Sequence, residues 1–494
     1  MAQAIRGDLH QAPIACHPCE GRDPAQFHEG DGDHVHELSA GQRGELVEYI
    51  WKVENVELTT VGIDIGSSTS HLMFAAVRLQ RKTQALSSQF VVVERRVLWK
   101  SPILVTPFLS DGTIDAAALG RFVAKCHEEA GLARTDVDTG AVILTGEAIK
   151  RVNARAIADL FAEESGKFVT ASAGHQLECV LAAHGSGAVA MSRERGCAIL
   201  NVDIGGGTTK LALVDRGEVL STCAFEVGAR FHAHPVDELA EVVIAHIRGE
   251  APHGLARELL LTGPLVRAVE PALVTFSGGV SEYIYGREGH DFGDVAKPLA
   301  AKILAAFRDG RIATPLATPR EGIRATVIGA SQFTVQVSGK TIHISEGVKL
   351  PLRNVPVVAL EGLAASTVDR DQPFAIAIRW HGDPEYSRLR SLAEEISKVL
   401  TPPRSQALTP LVLVIDGDIG RTLGHILEDE LEIGRPVISL DGLQLREFDY
   451  VDIGEVIRPA DVVPVVIKSL IFAGAAHVPR GEVHYRPLQE RQLQ

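Results

Sequence analysis

Chemistry concentrates in two short stretches that share one pattern. Residues 201–215 read Asn-Val-Asp-Ile-Gly-Gly-Gly-Thr-Thr-Lys-Leu-Ala-Leu-Val-Asp. The apolar runs at 198–202 and 211–214 read as buried strands. Between them stand Asp203, Gly205, Gly206, Gly207, Thr208 and Thr209. Glycines let backbone N–H groups approach phosphate oxygens with no Cβ in the way. The threonines add hydroxyl donors, and Asp203 is placed to hold a hydrated magnesium ion, which keeps most of its waters. Taken alone, the segment also reads as an ordinary glycine-rich hairpin turn. A second copy narrows that choice. Residues 61–74 read Val-Gly-Ile-Asp-Ile-Gly-Ser-Ser-Thr-Ser-His-Leu-Met-Phe, so Asp64 matches Asp203, Gly66 matches Gly205 and Thr69 matches Thr208, with Ser67 and Ser68 in the turn. Two such hairpins predict a duplicated domain with a nucleotide clamped between its halves.

The rest of the chain must supply the sheets and helices that hold these turns. It has 494 residues, enough for two or three cores, with a hydrophobic share of 45% but aromatics at only 5%. Such cores are built from Val, Ile, Leu and Ala, which suits parallel strands covered by helices. The net charge of −14, with no long basic run, argues against nucleic acid or an anionic membrane as the main partner. Six scattered cysteines suit a reducing compartment. No signal-peptide core and no uninterrupted apolar run of membrane length is visible, so a soluble, cytoplasmic protein is expected.

Residues 1–37 are polar and read as a disordered tail. They contain Cys16, Cys19, His28, His34 and His36, which could hold zinc but lack a second tight pair. Strands are expected at 89–99, 141–144, 168–171 and 325–330, and helices at 115–130, 150–164, 175–183 and 296–308. The stretch 235–261 reads as a helix-prone insert, 351–356 as a linker. Beyond it, strands at 374–379, 411–415 and 436–440 alternate with helices at 384–400 and 420–430, which predicts a small parallel sheet. Two lookalikes lack their context: the Gly185 to Ala190 segment follows a helix rather than a strand, and Gly339-Lys340-Thr341 has Thr334 where a P-loop needs glycine.

The two hairpins resemble the phosphate motifs of the actin-like ATPase superfamily. The segment 274–286, Val-Thr-Phe-Ser-Gly-Gly-Val-Ser-Glu-Tyr-Ile-Tyr-Gly, is similar to its adenosine motif, which points to Ser277, Gly278 and Gly279. More of the sequence resembles one family within it, the reactivating factors of ethanolamine ammonia-lyase, the EutA family. The likeness spans roughly residues 58–473 and includes Ile-Leu-Thr-Gly-Glu at 143–147, Ala-Ser-Ala-Gly at 171–174, Arg-Ala-Thr-Val-Ile-Gly-Ala at 324–330, Leu-Pro-Leu-Arg-Asn at 350–354 and Val-Pro-Val-Val-Ile-Lys-Ser-Leu at 463–470. The last two lie outside the ATPase motifs and separate this family from other actin-like ATPases. The N-terminal tail is extra, and the region between Gly228 and Pro271 is shorter than the family pattern suggests.

The resemblance implies an α/β protein with a duplicated actin-like, ribonuclease H-like fold and a smaller C-terminal α/β domain. The expected division is a tail at 1–37, a first half at 38–195, a second half at 196–350 and a C-terminal domain at 351–494. It implies ATP held by Gly66, Ser67, Ser68, Thr69, Gly205, Gly206, Gly207, Thr208 and Thr209, with Gly329 completing the face, and magnesium held by Asp64 and Asp203. Lys210 is expected to point outward on its strand. Glu147, Gln176 and Glu178 are the candidates for positioning the attacking water, Gln176 because it precedes Gly185 at the spacing of actin's glutamine. The implied activity is ATP-dependent and chaperone-like: release of damaged cobalamin from inactivated ethanolamine ammonia-lyase. A homodimer and a place in a protein-shelled compartment are left open. The alternatives are a small-molecule kinase, for which no catalytic aspartate is evident, and an actin-like assembly ATPase.

Overall fold

The computed structural model describes residues 40–81, 90–145, 153–230, 234–333, 335–338, 341–360, 372–400, 409–443 and 450–468. The 1–37 tail with its Cys and His residues, and Glu147, lie outside them. After a helix at Ala40–Glu54, the first half runs β1 (Asn55–Ile65), β2 (Thr69–Arg81), β3 (Phe90–Lys100), β4 (Leu104–Val105), β5 (Thr139–Leu144) and β6 (Phe168–Ala173). Its main path is β3-β2-β1-β5-β6, antiparallel among the first three strands and parallel from β1 onward. The second half runs β7 (Ile199–Ile204), β8 (Thr209–Asp215), β9 (Glu218–Phe225) and β10 (Leu273–Ser277), ordered β9-β8-β7-β10. Beyond β10 a parallel bridge joins Val274 to Leu316. An antiparallel meander followed by parallel strands on the side of the first strand therefore occurs twice. This is the duplicated, ribonuclease H-like arrangement expected from the sequence.

Helices cover both halves because the strands are apolar on both faces. The Ala116–Ala130 helix begins at Asp115, whose carboxylate accepts the Ala118 N–H at 2.9 Å, and ends at Gly131 in a left-handed conformation, φ 65°. The Val236–Arg248 and Ala296–Arg308 helices pack on β7, β8 and β10 through Leu239, Val243, Ile247, Leu299 and Ile303. Residues 325–330, expected as a strand, belong instead to a helix, Ala325–Phe333. Its apolar Ala-Thr-Val-Ile run fits a short buried strand or a buried helix, and periodicity alone does not separate the two.

That helix and the His175–Ser186 helix cross at van der Waals distance. A Cβ on Gly185 would stand 1.8 Å from the Ala325 carbonyl oxygen, and one on Gly329 would stand 2.3 Å from that of Leu181. Gly62 on β1 meets the same helix, 2.5 Å from the Val327 oxygen, and Thr60 Oγ1 donates to the Ser331 carbonyl at 2.6 Å. Only glycine allows backbones so close.

The remaining strands are β11 (Val335–Ser338), β12 (His343–Ile344), β13 (Leu352–Ala359), β14 (Phe374–Ile378), β15 (Leu411–Ile415), β16 (Val437–Leu440), β17 (Tyr450–Ile453) and β18 (Val463–Lys468). They form one sheet ordered β11-β18-β17-β13-β14-β15-β16-β12, in which β13 to β16 are parallel. The sheet thus takes strands from both sides of residue 351. The expected linker at 351–356 is β13, near its centre. Two prolines suggested a break, but Pro351 precedes the strand. Pro356 follows a bulge at which Asn354 has φ 55°. Arg353 Nη1 donates to the Val169 carbonyl on β6, and Val56, Leu58, Val77 and Leu79 share an apolar cluster with Val337, Ala460 and Val462. The C-terminal sheet is therefore packed against the first half.

Candidate functional site

Each hairpin places its aspartate at the end of a buried strand and its turn immediately beyond. The two turns close alike: Gly66 N–H donates to the Thr69 carbonyl and Gly205 N–H to that of Thr208, both at 3.0 Å. Their carbonyls are pinned from behind. Thr106 holds the Gly66 oxygen through its hydroxyl at 2.7 Å and the Ser68 oxygen through its N–H at 3.0 Å. Ala229 N–H holds the Gly205 oxygen at 3.0 Å and Arg230 N–H the Gly206 oxygen at 2.7 Å. With carbonyls drawn outward, each turn leaves its amide side for an anion.

The turns meet. A Cβ on Gly206 would stand 1.8 Å from Ser68 Oγ, and that buried hydroxyl has no hydrogen-bond partner among the described residues. Unsatisfied buried hydroxyls are costly, and this one lies between the two loops. A phosphate oxygen accepting from it fits the polarity of the place.

The carboxylates converge on the same place. Asp64 accepts from Thr145 Oγ1 at 3.1 Å, and Asp203 accepts from Ser277 Oγ at 2.7 Å. Asn201 ties this side together, donating to Ser277 Oγ at 3.2 Å and accepting from Ser186 and Thr275 hydroxyls at 3.2 and 3.0 Å. Glu178 is fully buried and pairs with Lys210 at 2.9 Å, and Lys210 Nζ lies 4.0 Å from Asp203 Oδ1. Lys210 therefore points inward, against expectation. Across the hairpin it stands opposite Asp203, on the face that the His175–Ser186 helix covers through Cys179 and Ala183 packed on Ala212 and Val214.

Burial holds the Glu178 carboxyl above its usual range, and the carboxylates around Lys210 hold its ammonium firmly protonated against the cost of burial. Burial also pushes Asp64 up to about 7, with Lys210 opposing. A divalent ion held by Asp64 would then compete with a proton for it. Its affinity is expected to rise with pH between 6 and 8. Calorimetry of magnesium–ADP in buffers of different ionisation enthalpy should detect proton release near neutrality.

Other expected residues fall in different places. Thr209 Oγ1 donates to the Val227 carbonyl at 2.8 Å, so that hydroxyl belongs to the fold rather than to a phosphate. Ser277 Oγ serves Asp203 in the same way. Gly329 is the helix-crossing glycine, not part of the loops. Gln176 is exposed, whereas Glu178 is in the carboxylate cluster. Gly278 turns the chain at φ 79°, and among the described residues no atom beyond its own helix and neighbours lies within 4 Å of a Cβ built on Gly279, which leaves space beside this glycine. Thr106, Thr145 and Asn201 were not among the expected site residues. Asn201 and Thr145 lie inside quoted motifs and Thr106 outside them, and in each case the residue type does not say which oxygen it will serve.

The carboxylates Asp64 and Asp203 are oxygen ligands of the kind hydrated magnesium takes, and the hydroxyls and glycine-turn N–H groups are donors that fit a polyphosphate. Among the described residues no group of three or more His, Cys, Asp or Glu forms a closed metal cage.

Comparison with known proteins gives the family. The sequence model described as "Ethanolamine utilisation protein EutA" matches residues 56–234 and 232–473. The chain belongs to the EutA family. It is 33% identical over 480 residues to the ethanolamine ammonia-lyase reactivase EutA of Escherichia coli K12, covering 84% of this chain and 99% of that protein. It is 33% identical over 474 residues to the reactivase of Salmonella typhimurium LT2, with the same coverage. Among solved structures, an exopolyphosphatase from Cytophaga hutchinsonii aligns over 55% of this EutA-family chain and 96% of its own at 14% identity, with a TM-score of 0.34. Among the described residues no helix is long and apolar enough to cross a membrane.

Proposed function

We propose that this protein reactivates ethanolamine ammonia-lyase, using ATP to drive release of damaged cobalamin from the inactivated enzyme. The lyase as partner rests on the EutA relatives. The nucleotide site rests on one observation above the others: two equivalent aspartate-and-glycine turns, one from each half, that meet at Ser68 and Gly206. In this reading the loops 66–69 and 205–208 hold the β- and γ-phosphates through backbone N–H groups, Ser68 and Thr208. Magnesium held by Asp64 and Asp203 would neutralise phosphate charge. Glu178 is the residue to orient the attacking water. The sheets β1–β6 and β7–β10 work as the two jaws, with the C-terminal sheet, which begins at β11, carried on the first. The protein acts in the cytoplasm, beside its lyase.

The two jaws give ATP its leverage. A ligand shifts a conformational equilibrium only by its differential affinity for the two states. The γ-phosphate is the part of ATP that ADP lacks, and loops from both jaws reach it. The ATP and ADP forms are expected to differ at least about tenfold in affinity for cobalamin-inactivated lyase, about 1.4 kcal/mol of coupling. Binding is measured with ATP, with ADP and without nucleotide, alongside ATP turnover with and without the lyase. Equal affinities and no cobalamin release would remove the chaperone reading and favour transfer of phosphate to a small acceptor.

A further inference from the structure

The two hairpins are built alike, but the residue facing each aspartate across the strand pair differs. His71 stands opposite Asp64, and Lys210 opposite Asp203. His71 is 2% exposed and contacts Thr69 Oγ1 at 3.0 Å. Its burial, with Arg324 nearby, keeps the ring neutral, so the first hairpin adds no positive charge there. The second hairpin adds a full ammonium whose side chain is 5% exposed. Nζ is 2.9 Å from Glu178 Oε2, 4.0 Å from Asp203 Oδ1, and 4.0 Å from where a Cβ on Gly205 would sit. The charge therefore lies directly against the first glycine of the phosphate turn. Buried ion pairs are commonly no more stabilising than apolar residues of the same volume, so fold stability gives little reason to keep one here.

We propose that Lys210 is the resident cation of the phosphate site: it offsets one of the two carboxylate charges of Glu178 and Asp203 beside the 205–208 turn, and so lowers the repulsion enough for a nucleoside diphosphate to bind without a divalent ion. This rests on the nucleotide-binding reading above. At the equivalent place in the first hairpin His71 turns to Thr69 Oγ1 at 3.0 Å, so the geometry assigns this role to Lys210. Ser277 holds Asp203 Oδ2 at 2.7 Å and Lys210 Nζ stands 4.0 Å from Oδ1, so Asp64 carries more of the metal.

The test is calorimetry of ADP binding in EDTA and in excess magnesium. The wild-type protein is expected to bind ADP in EDTA within about tenfold of its affinity in magnesium. Lys210→Met should weaken binding in EDTA by about thirtyfold or more, the scale of one charge-assisted hydrogen bond, and should weaken it much less in magnesium. Lys210→Arg should retain most of the metal-free affinity. Because Lys210→Met strands a buried carboxylate, Lys210→Met/Glu178→Gln is measured beside it, with thermal melting to show that it is folded. An equal loss with and without magnesium, or an unchanged metal-free affinity in the folded double variant, would overturn the role of Lys210. Wild-type protein that binds ADP under neither condition would overturn the nucleotide reading itself.

Discussion

Asp203→Ala is expected to lower magnesium-dependent ATP turnover by about a thousandfold or more, roughly 4 kcal/mol of transition-state stabilisation. Three effects combine. A carboxylate proposed to help position the metal is lost. Ser277 Oγ, which donates to Asp203 at 2.7 Å, loses its acceptor in a fully buried setting, and the Asn201 network behind it loosens. Among the described residues Lys210 then keeps Glu178 as its ion-pair partner, so the ammonium is free to draw that carboxylate away from the water it would orient. Asp203→Asn separates these effects, because it keeps a hydrogen-bond acceptor for Ser277 while removing the charge. Steady-state turnover at saturating ATP and magnesium, with a thermal melt for each variant, is the measurement. Near-normal turnover in folded Asp203→Ala would remove this residue from the site.

Gly206→Val is expected to reduce ATP and ADP affinity by about a hundredfold or more, roughly 2.7 kcal/mol. Gly206 does not need glycine for its backbone, since its φ lies outside the left-handed region. The requirement is space: a Cβ would meet Ser68 Oγ at 1.8 Å and Ser68 Cβ at 2.8 Å. Any side chain here pushes the first loop away from the second and screens the amides that must reach phosphate. The damage falls on how the halves approach one another and not on either core, so the melting temperature should fall only slightly. Gly206→Ala with Ser68→Gly offers a second reading. Recovery of affinity in that pair would assign the loss to loop–loop contact, and continued loss would assign it to contact with the phosphates. Calorimetric affinity equal to wild type in folded Gly206→Val would mean that the turn faces away from the nucleotide.

The sequence by itself determined the elements whose signals are local. Asp64 and Asp203, each followed by glycine and small hydroxyl residues between apolar runs, define two equivalent hairpins. A repeated pattern of that kind survives without any knowledge of the fold. The 296–308 helix and the 411–415 strand were legible for the same reason, being set by apolar pattern and flanking breakers. Membership of the EutA family was also legible, because Leu-Pro-Leu-Arg-Asn at 350–354 lies outside the shared ATPase motifs.

Tertiary structure decided what depends on which surfaces meet. Lys210 looked like an outward strand residue, since a charged side chain on a strand usually reaches water. Only the helix carrying Glu178, packed over that face, turned it into a buried charge at the phosphate turn. Gly329 looked like the end of a strand at the nucleotide, but it is the point where two helix backbones touch. Residues 351–356 looked like a linker because prolines weaken a strand's hydrogen bonding. A bulge at Asn354 and partners on both sides made them a central strand. Thr209, Ser277 and Asn201 show the same division of labour. Their residue types announce hydrogen bonds, but which oxygen each one serves is fixed only when strands and loops distant in sequence are brought within 3 Å or so of one another.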